Sequence, residues 1–194
     1  VTEKTISKVF EKKVDEIEEK EEVTRQLLEK GENYYFGRGV KKDNKKAYKY
    51  FLDAAKYKDE YAETYLGLFY DKGIAVRKNY EIAYQWYYKA AIKGNAFAQY
   101  SLGILYSEGN GVIKDYNKAF IWFQKSAEND YVGAYYQLGR AYYNGLGVDK
   151  DEEKASKWHK KAAENNLAAS QYALSLMYKN GEGCDENLVS AYYW

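Results

Sequence analysis

One period governs this chain. Gly37, Gly73, Gly109, Gly145 and Gly181 stand 36 residues apart. Ala47, Ala83, Ala119, Ala155 and Ala191 keep the same step, as do Tyr34, Tyr70, Tyr106, Tyr142 and Tyr178. All four tryptophans, Trp86, Trp122, Trp158 and Trp194, share one column, and Tyr50 fills it in the first unit. A step of this length means that each unit is one supersecondary element, unable to bury its apolar face alone and stacked on its neighbours. Four units are complete or nearly so, and a fifth is cut at Trp194.

Within a unit the pattern predicts helix, turn, helix. In the third unit Ala98, Leu102, Leu105 and Tyr106 fall on one helical face. Gly109 follows as a helix stop, since glycine takes positive φ without steric cost. The column Asp43, Asn79, Asp115, Asp151 and Asn187 supplies side chains able to cap the second helix. That helix carries Ala119, Trp122, Phe123 and Ala127 and stops near Asp130, in a column shared with Gly94 and Asn166. Small residues at Gly67, Gly103 and Gly139 let one backbone approach its neighbour. No segment alternates with the period of a strand. The expected fold is an all-α solenoid, and its inter-helix layers absorb most of the 24 tyrosines.

The run Leu102-Gly103-x-x-Tyr106-x-x-Gly109-x-Gly111-Val112-x-x-Asp115-Tyr116-x-x-Ala119-x-x-Trp122-Phe123-x-x-Ser126-Ala127 resembles the SLR (Sel-one-like) repeat, a relative of the tetratricopeptide repeat. Tetratricopeptide units run about 34 residues and usually carry a proline near the end of the second helix. Here the step is 36 and proline is absent. The resemblance covers residues 24–194 and implies a right-handed α-α superhelix, with units at 24–59, 60–95, 96–131, 132–167 and 168–194. Ala75 replaces the second loop glycine of its unit, the first unit reads Lys30-Gly31 at the Leu-Gly position, and Ser175 replaces the glycine of the fifth.

Residues 1–23 precede the repeat frame. Ile6, Phe10, Val14 and Ile17 form a narrow apolar stripe in an otherwise charged segment, which reads as an amphipathic helix capping the first repeat. The other reading, a coiled-coil or partner-docking arm, has too short a stripe for three or four heptads. No secretory signal opens the chain. Both ends read as trimmed, so no localisation follows.

Composition narrows the function. No apolar run reaches the roughly 20 residues of a membrane span. With 30 basic against 29 acidic residues and a net charge of +1, nothing marks a chain built around nucleic acid; Lys41, Lys42, Lys45 and Lys46 form a local basic cluster. One cysteine and one histidine exclude an intrachain disulfide, a cysteine-based zinc cluster and a multi-histidine metal site. His159 shares the column of Phe51, Tyr87 and Phe123, and Cys184 that of Val40, Val76, Val112 and Val148, so both read as packing residues. The Gly-x-Gly pairs close helices, whereas a dinucleotide fingerprint follows a strand and opens a helix. Some SLR proteins are associated with β-lactam binding or hydrolysis, but this chain has no Ser-x-x-Lys and no Lys-Thr-Gly. No metal and no cofactor are expected, and the chain reads as non-catalytic.

An α-solenoid presents a concave groove lined by the first helix of each unit. Columns that vary are informative there, because packing would hold them constant. They contribute the candidate partner-binding residues Tyr61, Leu68, Lys72, Phe97, Ile104, Glu108, Arg140, Tyr143 and Asn144. Tyr100, Tyr136 and Tyr172 face the same side, with packing an equal reading. The expected function is a scaffold or adaptor that binds a peptide or protein in this groove, the class the resemblance implies. The alternatives are a nucleic-acid-binding α-solenoid and, least favoured, a hydrolase of the β-lactam-associated branch. Leu188, Ala191, Tyr192 and Trp194 in the fifth unit further suggest end-to-end self-association or continuation into more repeats.

Overall fold

The computed structural model describes the backbone of residues 3–194 and the side chains from residue 11 onward. Ten α-helices and no strand occur among the described residues, in agreement with the all-α expectation. The chain forms two compact units, Val1–Asn79 and Tyr80–Trp194.

The first unit holds α1 (Glu3–Phe36), α2 (Asn44–Ala55) and α3 (Glu60–Lys72), with α2 packed against both of the others. α1 is one continuous helix of 34 residues, so the boundary expected at residue 23 falls inside it. Residues 11–22 are exposed throughout, Val14 by 40% and Ile17 by 54%. The side chains of Ile6 and Phe10, the rest of the stripe, lie outside the described residues. The buried core comprises Ala47, Phe51, Ala54, Ala62, Leu66 and Phe69. The Phe51 ring stacks on Tyr65 at 4.2 Å, and the Tyr65 hydroxyl donates to Glu32 at 2.9 Å.

The second unit holds α4 (Tyr80–Ala91), α5 (Ala96–Glu108), α6 (Tyr116–Glu128), α7 (Val132–Asn144), α8 (Glu152–Glu164), α9 (Ala168–Asn180) and α10 (Leu188–Tyr193). Each packs on the next in chain order.

Local chemistry sets these limits. Asp43, Asp115, Asp151 and Asn187 accept first-turn amides as expected. A second cap column was not anticipated: Asp59 and Asn95 cap α3 and α5, whereas Tyr131 and Leu167 in the same column offer no side-chain cap. Gly73, Gly109, Gly145 and Gly181 end the first helices in the left-handed region. Gly94, Asp130 and Asn166 take positive φ after the second helices, and Lys58 occupies the same position at φ 60.

The helix pairs close by seating a ring on bare backbone. A Cβ at Gly31 would meet the Phe51 ring at 2.6 Å, and one at Gly139 would meet the His159 ring at 2.8 Å. At Gly103 it would overlap the Phe123 ring. Successive pairs are joined by tyrosines. Tyr48 and Tyr70 bring their hydroxyls to 2.9 Å, Tyr84 and Tyr106 to 3.1 Å. Phe120 instead sets its ring edge against Tyr142 at 5.4 Å. Ser156 stands next in that column and donates to the Gly183 carbonyl at 2.9 Å.

The second loop glycine does a separate job. A Cβ at Gly111 would meet the Tyr80 carbonyl carbon at 2.5 Å, and one at Gly147 or Gly183 would overlap the carbonyl of Tyr116 or Glu152. The loop thus lies on the start of the preceding second helix. Gly39, by contrast, faces open space at φ 69, and Ala75 is held at φ 59.

His159 fills its aromatic column as expected and is only 3% exposed. Its Nδ1 lies 3.4 Å from the Ser170 hydroxyl. Burial, reinforced by the charge of Arg140, pushes the imidazole pKa down to about 4. Ser170 belongs to the column of Ala62, Ala98 and Ala134, so a polar pair stands where the same spacing elsewhere in the sequence holds Phe51 and Ala62 or Phe123 and Ala134.

Two expectations follow for stability, both readable by chemical denaturation. Gly147→Ala should cost about 2–4 kcal/mol, combining left-handed strain with overpacking. Gly39→Ala should cost only about 1 kcal/mol, and Ala75→Gly should gain a few tenths to about 1 kcal/mol. Equal losses at Gly147 and Gly39 would contradict the close approach. For His159, a folded pKa below the unfolded value means stability that is complete above about pH 6.5 and is lost as pH falls through about 4. The double variant His159→Phe/Ser170→Ala should flatten the stability profile across that window. An unchanged profile would contradict a buried neutral imidazole.

Candidate interaction surface

In the second unit α5, α7 and α9 border two open hollows. Arg140 stands exposed on α7 between two hollows. One, of about 170 Å³, lies between α5, α6 and α7 and is walled by Ile104, Phe120, Ala141 and Leu146, with Ser107 and Glu108 at its polar side. The other, of about 190 Å³, lies between α7, α8 and α9, with Tyr136, Tyr143, Asn144, Leu176, Met177 and Glu182 around it and His159 behind. Five of the expected residues therefore meet: Ile104, Glu108 and Arg140 at the first hollow, and Arg140, Tyr143 and Asn144 at the second.

The polar groups here are largely engaged by the protein itself. The Tyr143 hydroxyl donates to Glu182 at 2.8 Å, a bond that raises its pKa. Asn180 also donates to Glu182, at 3.1 Å, and Asn110 donates to Glu108 at 2.7 Å. Asn144 donates to the Arg140 carbonyl at 2.9 Å. Arg140 differs. Its guanidinium donates to Gln137 at 3.2 Å and sits 5.8 Å from the Tyr136 ring centre. No carboxylate lies within ion-pair distance of it among the described residues.

The remaining expected residues are placed otherwise. Phe97 is partly buried in an aromatic cluster, edge-on to Tyr131 at 5.8 Å and near Tyr100. In the first unit Leu68 is partly buried, and Lys72 is exposed beside Asp71 at 2.8 Å. Tyr61 is exposed and lines a wide groove of about 1060 Å³ with Arg25, Leu28, Glu29 and Tyr57. Of this lining, Tyr61 is the residue that sequence reasoning singled out.

The tyrosine column divides. Tyr100 contacts Tyr131 at 4.9 Å, Tyr136 sets its ring edge toward His159 at 5.7 Å, and Tyr172 is exposed. Tyr35, from a varied column, is taken up by contacts with Phe36, Tyr65 and Phe69. Leu176 and Glu182 line the second hollow without having been singled out; the departure of Leu176 from Arg140 in their shared column was the available signal.

Other candidate chemistry takes ordinary positions. The Cys184 thiol is partly buried, lies 3.7 Å from the Glu182 carbonyl oxygen, and has its pKa raised by burial and by the nearby acids. Among the described residues no group of three or more metal-ligating side chains is placed to hold an ion. No helix among them is long and apolar enough to cross a membrane. In the basic cluster, Lys42 and Lys46 lie over the rings of Tyr35 and Tyr34 at 5.6 and 5.0 Å.

Comparison with known proteins gives a consistent result. A protective antigen of uropathogenic Escherichia coli strains with an SLR fold is 36% identical, with a TM-score of 0.84 over 93% of this chain and 39% of that one. A Sel1 repeat protein from Oxalobacter formigenes is 33% identical, with a TM-score of 0.83 over 88% of this chain and 68% of that one. Helicobacter pylori cysteine rich protein B is 28% identical, with a TM-score of 0.52 over 69% of this chain and 96% of that one; the present chain has a single cysteine. This chain thus spans well under half the length of the Escherichia coli antigen. No curated protein matches it. Sel1 repeats commonly form protein-interaction scaffolds and are generally non-catalytic. The Sel1 repeat itself matches residues 31–56, 60–95, 96–131, 132–167 and 168–194, and with its period, caps and ring-on-glycine packing the chain belongs to the Sel1 repeat family.

Proposed function

We propose that this chain is a non-catalytic scaffold that holds a peptide or protein segment against the first-helix face of α5, α7 and α9. One observation carries the reading. The repeated columns are spent on packing, whereas the varied residues Ile104, Glu108, Arg140, Tyr143 and Asn144 surround two open hollows. Arginine and tyrosine are also the residue types on which interface energy concentrates. Phe97 is an outlying contact of this face in the proposal, and Tyr61, Leu68 and Lys72 of the first unit are candidate contacts of their own. The even charge balance favours a protein ligand over nucleic acid, whose affinity would rest on basic groups.

The test is a binding titration with partners selected on the parent chain. Arg140→Glu/Tyr143→Ala, with unchanged helicity, should weaken binding about tenfold or more. Undiminished binding would remove the site from this face.

A second reading is favoured by α10. Leu188, Val189 and Tyr192 are exposed by 65%, 81% and 95%, an apolar group of a kind that marks an interaction surface. We propose that this face packs against a second copy of the chain. Analytical ultracentrifugation should find a concentration-dependent dimer that Leu188→Glu/Tyr192→Glu abolishes. A monomer at all concentrations would contradict it.

A further inference from the structure

The proposed site has a chemical preference that its unused groups disclose. Each hollow contains one carboxylate, and each of those is already held by the protein: Glu108 by Asn110, and Glu182 by Tyr143 and Asn180. Between them stands the cation of Arg140, whose contacts are a neutral amide and the face of Tyr136. Among the described residues that line either hollow, Arg140 is the one positively charged side chain. Its planar fork is suited to donating two parallel hydrogen bonds to a carboxylate, which the protein does not provide.

The hollows on either side ask for something different. The one between α7, α8 and α9 is mainly apolar, with Tyr136, Leu176 and Met177, and the other sets Ile104, Phe120, Ala141 and Leu146 beside the polar Ser107, Glu108 and Gln137. Volumes of about 170 and 190 Å³ suffice for one apolar side chain each, since a cavity of about 150 Å³ admits a benzene ring. Glu108 and Glu182 would repel an acidic side chain entering either one.

Resting on the scaffold reading above, we infer that the ligand is a peptide segment with an aspartate or glutamate placed on Arg140 and an apolar side chain on each flank, one per hollow. The carboxylate supplies orientation through the paired hydrogen bonds. The apolar flanks supply the buried area. A ligand with a central lysine or arginine would face Arg140 with like charge and is rejected, which gives the site selectivity as well as affinity.

The experiment is selection of a phage-displayed library of random dodecapeptides on the full chain, followed by titration of the synthetic winners. Aspartate or glutamate should be enriched at one position between two apolar ones. Changing that acid to its amide should weaken binding about tenfold or more. Arg140→Glu should reverse the preference, so that a peptide with lysine at that position binds better than its acidic parent. Such a charge swap is not produced by simple loss of structure. Peptides selected without an acidic position, or an acidic preference that survives in Arg140→Glu, would overturn this inference while leaving the scaffold reading in place. A library that yields no binder would overturn both.

Discussion

The structure rests on a ring laid against bare backbone. In three helix pairs a glycine of the first helix receives an aromatic ring of the second: Phe51 on Gly31, Phe123 on Gly103, His159 on Gly139. Any side chain in place of the glycine would occupy the ring's space, so the distance between the two helices is set by this contact. The caps, the tyrosine pairs and the loop glycines then fix where each pair begins and ends and how it meets the next. In the second unit the loop glycines at Gly111, Gly147 and Gly183 repeat that logic against a neighbouring carbonyl. Close packing of this kind leaves little freedom at repeated positions.

Much of this was legible in the sequence because a repeat is an internal comparison. Five copies separate what packing holds constant from what it does not. The helix stops, the second-helix caps and the structural role of His159 follow from columns alone. What escaped were features tied to single copies or to pairs of columns. The caps Asp59 and Asn95 occur in only part of their column. Ser170 gains meaning only when read against His159, eleven residues earlier. The length of α1 was hidden because its exposed charged half and its packed half are both good helix, with no breaker between them.

The candidate site was legible in part, for the same reason. Variation marked Arg140, Tyr143 and Asn144, which do surround a hollow. It also marked Phe97, which local aromatic contacts absorb. A varying column shows that packing does not demand one residue; it does not show that the residue is free. Arg140 stands apart because its charge has no carboxylate answer among the described residues, a property visible only in three dimensions.

Labour is divided between positions: second-helix rings seated on first-helix glycines close the helix pairs, and in the proposed function the varied first-helix residues hold the ligand. This division is tested most directly by amide hydrogen exchange on the full chain with and without a selected peptide bound. The account expects added protection concentrated in α5, α7 and α9 around Arg140, reaching α6 only beside Phe120. Protection confined to the outer surfaces of α6 and α8, or to the exposed part of α1, would contradict it.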